Sequence, residues 1–454
     1  MPRFWGTTPV PDRFLNESGG WWRASNSSIP GWSWPYPDTI PFASNLSAVR
    51  FLGGWPNASG HANAAGDTAV RAADGTIAYR FDILDGNLDK YVQNGVVPSP
   101  LVLDNVPFAF VKTPTYCSYG QCGPPDNNTE YASYVTALVK HLKDRYGSAA
   151  VEQFRFRVGT EADGPRLSPP WTTVADMEVY EALYKAVARA IRQVLPGADV
   201  GPSNMAGLSS SGTLFGLLQQ FFTAIGDDPQ TRPDFVPMSH YVRPVSTCVA
   251  PGFHVTPRPV HSSAMVAGVE VLKDLRALAK ATTAPLEVHE FGWASWASNA
   301  GTHTMSQPGA FGAAWRVSSW AYMLHAGMSR IFHWHDGWDS RLVAGQSTLT
   351  ACGWLYAAAE AFVGKPTLAA VVEATPATPH APFNNTAVAF AARDSRAAYV
   401  LVSFMSANLT ATPTATLSVV LPPSLGINLA AATITTQTLN ATTSVLDVVQ
   451  RELS

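Results

Sequence analysis

The chain has 454 residues, of which 46% are hydrophobic and 14% are charged. This composition excludes a disordered chain and a coiled coil, because both are rich in charge and poor in apolar residues. A net charge of −3 gives no basic surface for nucleic acid. No apolar run approaches the ~18 residues that a membrane-spanning helix needs, so we expect neither partner.

Up to residue 365, short β-like runs alternate with longer runs of helical spacing. Repeated alternation predicts an α/β fold with a parallel sheet, and this number of repeats favours a (β/α)8 TIM barrel over an open sheet. The predicted strands are Leu46–Leu52, Val97–Leu103, Phe154–Gly159, Ala198–Gly201, Phe235–Tyr241, Leu286–His289 and Ile331–Trp334. The predicted helices are Asp82–Gln93, Glu130–Tyr146, Met177–Leu195, Leu214–Ile225, Ala264–Ala281, Gly312–His325 and Thr350–Phe362.

The composition changes after residue 365. All 14 Trp and all 4 Cys lie at or before Trp354, and the last lysine is Lys365. Short β-like runs separated by Pro and Asn then predict a small antiparallel β-sandwich. We therefore predict a catalytic barrel over residues 1–365 and an appended β-sandwich over residues 366–454, which an N-terminal strand can complete. Its predicted strands are Ala387–Ala392, Ala397–Phe404, Ala415–Leu421 and Ala432–Leu439.

The glycosylation sequons and the cysteines of the chain indicate its cellular location. In a chain this poor in charge, dense Asn-x-Ser/Thr sequons predict N-linked glycans and a secreted, extracellular or lysosome-like location. The first residues lack the apolar core of a signal peptide, so a mature form is expected. Two cysteine pairs can form disulfides, Cys117 with Cys122 and Cys248 with Cys352; four reduced thiols are the alternative. The sequons begin at Asn16, Asn26, Asn45, Asn57, Asn127, Asn384, Asn408 and Asn440.

Polar and aromatic residues follow the predicted strands, where a barrel has its active site. Glu161 and Glu290 each come after a short, largely apolar strand, so we predict two catalytic carboxylates at the barrel mouth. Such a pair, about 5–5.5 Å apart, performs retaining glycoside hydrolysis on a carbohydrate substrate. No motif indicates a cofactor or a metal: His289-Glu290 begins like HExxH, but position 293 is Trp. The predicted substrate-binding residues are Arg50, Trp55, Asn105, Thr160, Asn204, His240, Tyr241, Arg243, Trp293, Trp334 and His335.

Four segments of the chain resemble clan A glycoside hydrolases, and specifically family 39, which contains β-xylosidases and α-L-iduronidases. The segments are Pro2–Thr8, Tyr79–Leu103, His141–Gly147 followed by Val151–Glu161, and Val288–Gly292. They are similar to the family's first strand, its third strand with the preceding helix, its acid/base segment and its seventh-strand nucleophile segment. The resemblance covers roughly residues 1–365 and implies a barrel with a C-terminal β-sandwich.

The resemblance also implies roles for single residues. Glu161 takes the acid/base position and Glu290 the nucleophile position. His240 and Tyr241 fall at the sixth-strand end, where the clan has a residue that hydrogen-bonds the nucleophile. Trp334 matches a tryptophan that forms the floor under the sugar in the clan. Arg50 matches an arginine that braces the nucleophile side. Arg243 matches a basic residue that iduronidases use near the uronate carboxylate.

One departure from the family bears on activity. The clan's Trp-Asn-Glu-Pro reads Gly159-Thr160-Glu161-Ala162 here. The clan's Asn hydrogen-bonds the sugar 2-hydroxyl, a contact that strengthens in the transition state, whereas Thr160 offers a shorter hydroxyl. An alternative is therefore a catalytically inactive carbohydrate-binding or extracellular-matrix protein on a glycosidase scaffold. A transglycosylase that uses the same residues is a third hypothesis.

Overall fold

The structure is a computed structural model. It describes residues 68–93, 97–104, 106–117, 120–164, 169–208, 211–242, 263–293 and 326–333, and shorter stretches at 6–7, 48–51, 343–344, 348–349, 367–368, 385–393, 397–406, 433–438 and 447–452, with single positions between 313 and 358. Within these stretches, no helix combines the length and the hydropathy needed to cross a bilayer.

Eight strands form one sheet in which every neighbouring pair is parallel, in the order β6-β7-β8-β1-β2-β3-β4-β5. A parallel bridge between Met205, just after β5, and Met238 of β6 joins the two ends of this sheet. The predicted α/β fold with a parallel sheet is thus confirmed, and the sheet closes as a barrel. The strands are β1 Gly6–Thr7, β2 Ala48–Phe51, β3 Val97–Leu103, β4 Phe156–Val158, β5 Val200–Gly201, β6 Val236–Val242, β7 Leu286–Trp293 and β8 Met328–His333.

Helices pack around the barrel and bury apolar faces against it. Asn127 caps α2 by accepting hydrogen bonds from the N–H groups of Thr129 and Glu130, and Gly147 ends that helix at φ 83°. Thr173 and Asp176 form a reciprocal capping box at the start of α4. The helices are α1 Asp82–Gln93, α2 Asn128–Tyr146, α3 Ser148–Phe154, α4 Val174–Val194, α5 Thr213–Gly226 and α6 Ser263–Leu278. Described positions between 313 and 323 are also helical.

The barrel interior is unusually polar. The hydrophobic core lies between strands and helices and includes Leu101, Phe156 and Val158. Inside the barrel, by contrast, Arg157 of β4 and His289 of β7 are fully buried. Because successive side chains of a strand point to opposite faces, the apolar and charged residues of these strands alternate between helices and barrel interior.

The structure differs from the predicted elements in several places. β7 is longer than predicted, so Glu290 lies within the strand rather than after it. The short helix α3 takes the start of the predicted strand at Phe154. Two small antiparallel hairpins were not predicted: Ala69–Arg71 with Ile77–Tyr79, and Tyr116–Cys117 with Gly120–Gln121.

The C-terminal region contains antiparallel strands, as predicted for residues 366–454. A described side chain links it to the barrel, because the Ser403 hydroxyl donates to the Ala314 carbonyl at 3.1 Å. The predicted strand Ala415–Leu421 lies outside the described residues, and packing of these strands into a sandwich stays a prediction. The pairs are Asn385–Arg393 with both Thr367–Leu368 and Ala398–Ser406, and Thr433–Thr438 with Asp447–Glu452.

The predicted disulfide between Cys117 and Cys122 is not formed in the structure. Cys122 is a buried thiol whose Sγ lies 3.5 Å from the Thr115 carbonyl oxygen. In the hairpin register Cys117 is paired with Gly120, so Cys122 lies opposite Thr115 instead. Cys248 and Cys352 lie outside the described residues.

Candidate active site

Glu161 follows β4 in a tight turn. Its backbone has φ 45°, a left-handed conformation that costs a non-glycine residue about 1 kcal/mol or more. The turn is held by a hydrogen bond from the Gly164 N–H to the Glu161 carbonyl at 2.9 Å. The side chain is only 7% exposed, so this turn keeps the carboxyl group inside the molecule.

Glu290 lies at an irregularity in β7. The register between β6 and β7 shifts there, so that Met238 pairs with Val288 but Ser239 pairs with Glu290. His289 is therefore the extra residue of a β-bulge, a feature that re-aims side chains next to active sites. Both His289 and Glu290 are fully buried.

One chain of contacts joins the two glutamate segments around the barrel wall. The N–H of Ala162, the residue after Glu161, donates to the Ser203 hydroxyl at 2.9 Å. The next residue, Asn204, donates from Nδ2 to the Ser239 hydroxyl at 2.6 Å, and Ser239 is the strand partner of Glu290. Asn204 Oδ1 is buried and has no hydrogen-bond partner within the described stretches.

A second chain of contacts crosses the barrel interior through Arg157. Its Nη2 donates to the Thr160 hydroxyl at 2.7 Å, and its Nε donates to the Gly159 carbonyl at 3.1 Å. On the other side its Nη1 lies 3.1 Å from His289 Nδ1. Thr160 in turn donates to Asp104 Oδ2 at 2.7 Å. The neighbours of both glutamates are thus held by one guanidinium group.

The proton on His289 can be assigned from its partners. Arginine only donates, so Nδ1 accepts from Arg157. The other ring nitrogen, Nε2, lies 2.7 Å from Glu287 Oε2, and an ionised carboxylate only accepts. His289 is therefore neutral, with its proton on Nε2.

Glu287 remains ionised although it is fully buried. Burial raises the pKa of the Glu287 carboxyl, but the charge of Arg155 and the hydrogen bond from His289 outweigh burial and bring this pKa down to about 2. Arg155 Nη1 donates to Glu287 Oε1 at 2.7 Å and its Nε to Asp199 at 3.0 Å. This ion pair lies at the amino-terminal ends of β4 and β5, opposite the candidate catalytic mouth.

Asp163 fixes the loop after β5 beside the Glu161 turn. Its carboxylate accepts from the N–H groups of Ala206, at 3.0 Å, and Gly207, at 2.7 Å. Burial raises the pKa of Asp163, and the two backbone donors oppose that rise. The loop that carries Asn204 is therefore tied to the segment that carries Glu161.

The predicted site residues fall into three groups. Glu161, Glu290, Thr160, Asn204 and His240 are described with their side chains; Thr160 and Asn204 make the side-chain contacts above, and Glu161 and Glu290 enter them through their backbone. Arg50, Tyr241 and Trp293 are placed on β2, β6 and β7 by their backbone. The remaining predictions lie outside the described residues: Trp55, Asn105, Arg243, Trp334 and His335.

Sequence reasoning missed the interior polar residues Arg157 and Glu287 as parts of the site. A signal for them exists, because Phe156-Arg157-Val158 and Glu287-Val288-His289 alternate polar and apolar residues with a period of two. Parallel barrel strands are ordinarily apolar on both faces. Charges at every second position therefore indicate a polar barrel interior.

Comparisons of sequence show which family the chain resembles. The model of the glycosyl hydrolases family 39 matches residues 36–304, more than half of the chain. An α-1,4-L-rhamnosidase from Formosa agariphila is 24% identical over 266 residues, which are 57% of this chain and 50% of that protein. A β-xylosidase from Caldicellulosiruptor saccharolyticus is 32% identical over 133 residues, which are 29% of this chain and 26% of that protein. The chain thus spans half or less of the length of these relatives.

Solved structures agree in fold. A glucosidase from Croceicoccus marinus aligns with a TM-score of 0.57 at 14% identity, over 89% of this chain and 75% of that one. A family 39 β-xylosidase from Caulobacter crescentus aligns with a TM-score of 0.55 at 18% identity, over 87% of this chain and 76% of that one. At such identities the likeness shows a common fold and leaves the substrate open.

Proposed function

Because the chain belongs to the glycosyl hydrolases family 39, we propose that it is a retaining glycoside hydrolase that cleaves O-glycosidic bonds of a glycan or polysaccharide. Glu290 is the proposed nucleophile and Glu161 the proposed acid/base. The observation that carries this proposal is the burial of both carboxyl groups on segments joined by two chains of contacts.

The backbone at Glu161 argues against a scaffold that only binds carbohydrate. Glu161 is 7% and Glu290 is 0% exposed, and the left-handed turn at Glu161 holds an otherwise unfavourable backbone conformation. Strain of this kind clusters at functional sites.

The reaction proceeds in two steps. Glu290 attacks the anomeric carbon while Glu161 gives its proton to the leaving oxygen, which breaks the glycosidic bond and forms a glycosyl ester. Glu161, now ionised, takes a proton from water, whose oxygen attacks the anomeric carbon and releases Glu290. An acceptor sugar in place of that water would give transglycosylation.

Thr160 does not replace the clan's asparagine as a donor. Its hydroxyl proton goes to Asp104, and its oxygen accepts from Arg157. We therefore assign Thr160 to the support of the Glu161 turn. The polar partner for a sugar hydroxyl is then Asp104, which is half-buried at the end of β3, while the role predicted for Asn204 stays a prediction.

Substrate class and compartment follow as proposals from the relatives and the sequons. The names of the two relatives make L-rhamnosides and xylosides the first sugars to test. Asn127 is exposed and caps α2 through Oδ1, which leaves its Nδ2 for a glycan. This geometry leaves room for an N-linked glycan and so supports the proposal of a glycosylated, secreted protein.

A leaving-group series tests the proposal. Wild type is assayed on aryl glycosides whose phenols differ in acidity, beside Glu161→Ala. We expect Glu161→Ala to lose about 10²–10⁴-fold in rate on poor leaving groups, because they need protonation, and much less on acidic phenols.

Glu178→Ala is the matched control, because Glu178 is exposed on the outer face of α4 and should keep wild-type rates. Equal losses of Glu161→Ala on every phenol would remove Glu161 from the acid/base role.

A further inference from the structure

The two glutamate segments share one partner, Arg157. We propose that Arg157 is a positioning residue that sets the acid/base and the nucleophile of this site at the same time. This inference rests on the proposed function and adds a residue that touches neither the sugar nor the leaving group.

The side chain of Arg157 reaches both glutamate segments. Arg157 contacts Gly159 and Thr160, which precede Glu161 in the chain, and His289, which precedes Glu290. The guanidinium is planar and its N–H groups point in fixed directions, so the three contacts fix one relative placement of β4 and β7. Arg157 is fully buried, which removes competition from water.

On the nucleophile side, Arg157 acts through His289. His289 is the extra residue of the bulge in β7, so its orientation decides how Glu290 leaves the strand. Its ring is held from both sides, with Nε2 donating to Glu287 and Nδ1 accepting from Arg157. Without the arginine donor, one side of the His289 ring is no longer held. The conformation of the bulge then loses that support.

On the acid/base side, Arg157 acts through Thr160. Thr160 connects Arg157 to Asp104, because its oxygen accepts from the guanidinium and its hydroxyl donates to the carboxylate. The turn at Glu161 has a left-handed backbone, which persists only where its surroundings hold it. Arg157 and Asp104 are two of those holding groups.

Arg157 also brings a positive charge into the network. The carboxylate of Asp104 accepts from Thr160, and Glu161 and Glu290 each follow a residue that Arg157 contacts. A positive charge favours the ionised form of a nearby carboxylate. The guanidinium of Arg157 is one hydroxyl group away from Asp104, because both groups bond the Thr160 hydroxyl.

The test compares Arg157→Lys and Arg157→Met with wild type on the aryl glycoside that wild type cleaves best. Lysine keeps the charge but cannot make three fixed contacts, so we expect kcat to fall about 10²-fold with KM changed less than threefold. Methionine loses the charge as well, so the acidic limb of its kcat/KM profile should move up by about one pH unit. That shift would not follow from a purely structural role.

Arg155→Lys is the matched control. Arg155 is also a buried arginine of the same network, but it contacts Glu287 and Asp199 away from the glutamate turn. We expect it to lower the unfolding temperature while the pH profile stays that of wild type. If either Arg157 variant fails to fold, Thr160→Val removes one arm alone and should lower kcat about tenfold.

Each outcome decides one claim. Wild-type kcat and pH profile in folded Arg157 variants would overturn the inference and leave the proposed function standing. A loss of kcat in Arg157→Lys with a shifted pH profile only in Arg157→Met would support it. A pH profile of Arg157→Met equal to that of Arg155→Lys would also overturn it, since the loss of kcat would then reflect general loss of stability. Activity retained by Glu290→Gln would overturn the proposed function itself.

Discussion

Glu287 is the residue at which the charges of the barrel interior meet. It accepts hydrogen bonds from Arg155 and His289, and Arg330 lies 3.7 Å away. A buried ion pair is weak support for stability as a whole, but removing one partner is costly because the other charge is left buried. The pH dependence of stability should therefore carry a clear contribution from this carboxyl.

The sign of this pH dependence follows from the direction in which the pKa of Glu287 shifts. The pKa of Glu287 falls from 4.5 to about 2 on folding, so its contribution is complete above about pH 4.5 and is lost as pH falls towards 2. At about 1.4 kcal/mol per pKa unit, the contribution is on the order of 3 kcal/mol.

We expect Glu287→Gln to be less stable than wild type at pH 7, and we expect the gap to narrow as pH falls from 5 to about 2. Urea unfolding across this range measures it, with Glu178→Gln as an exposed control. A gap that does not change with pH would show that Glu287 is not held ionised by its neighbours.

At the scale of elements, α5 and α6 approach each other closely at one glycine. A Cβ at Gly226, the last residue of α5, would lie 2.5 Å from the Cα of Ala279, which follows α6. Within the same helix, a Cβ at Gly216 would have no atom within 4 Å. The two glycines therefore make a matched pair.

We expect Gly226→Ala to lower the free energy of unfolding by about 1–3 kcal/mol, since backbone must move to admit the methyl group. Gly216→Ala should raise it by about 0.5–1 kcal/mol, because alanine is the better helix former. Denaturant unfolding of the two variants measures both. Similar effects of the two substitutions would mean that α5 and α6 are not packed as described.

Elements with a strong local pattern were predictable from sequence. Val97–Leu103 and Asp82–Gln93 have the predicted bounds, because a short, largely apolar run rich in Val and Leu favours a buried strand and a helical spacing of apolar residues favours a helix. The bulge at His289 was not predictable, since it depends on the register between β6 and β7 rather than on either strand alone. That bulge places Glu290, so the sequence identified the residue but not how it is held.

At the scale of the whole molecule, barrel closure explains why distant residues meet. Glu161 and Glu290 are 129 positions apart in the chain, yet a parallel barrel gathers the ends of all its strands at one mouth. The strand–helix alternation was enough to predict this gathering. The charged interior was not foreseen, because it arises from side chains of β4 and β7 that pair only after the sheet has closed.

The central claim is that Glu290 is the nucleophile of a glycosidase. The most direct measurement is release of the aryl group from a panel of xyloside, rhamnoside, arabinoside, glucoside, galactoside, iduronide and glucuronide by wild type and Glu290→Gln. We expect wild type to cleave at least one of them and Glu290→Gln to lose on the order of 10³-fold or more, because a carboxamide cannot form the glycosyl ester. A Glu290→Gln variant with the wild-type rate would contradict the claim, and a wild type that cleaves none would favour the carbohydrate-binding scaffold.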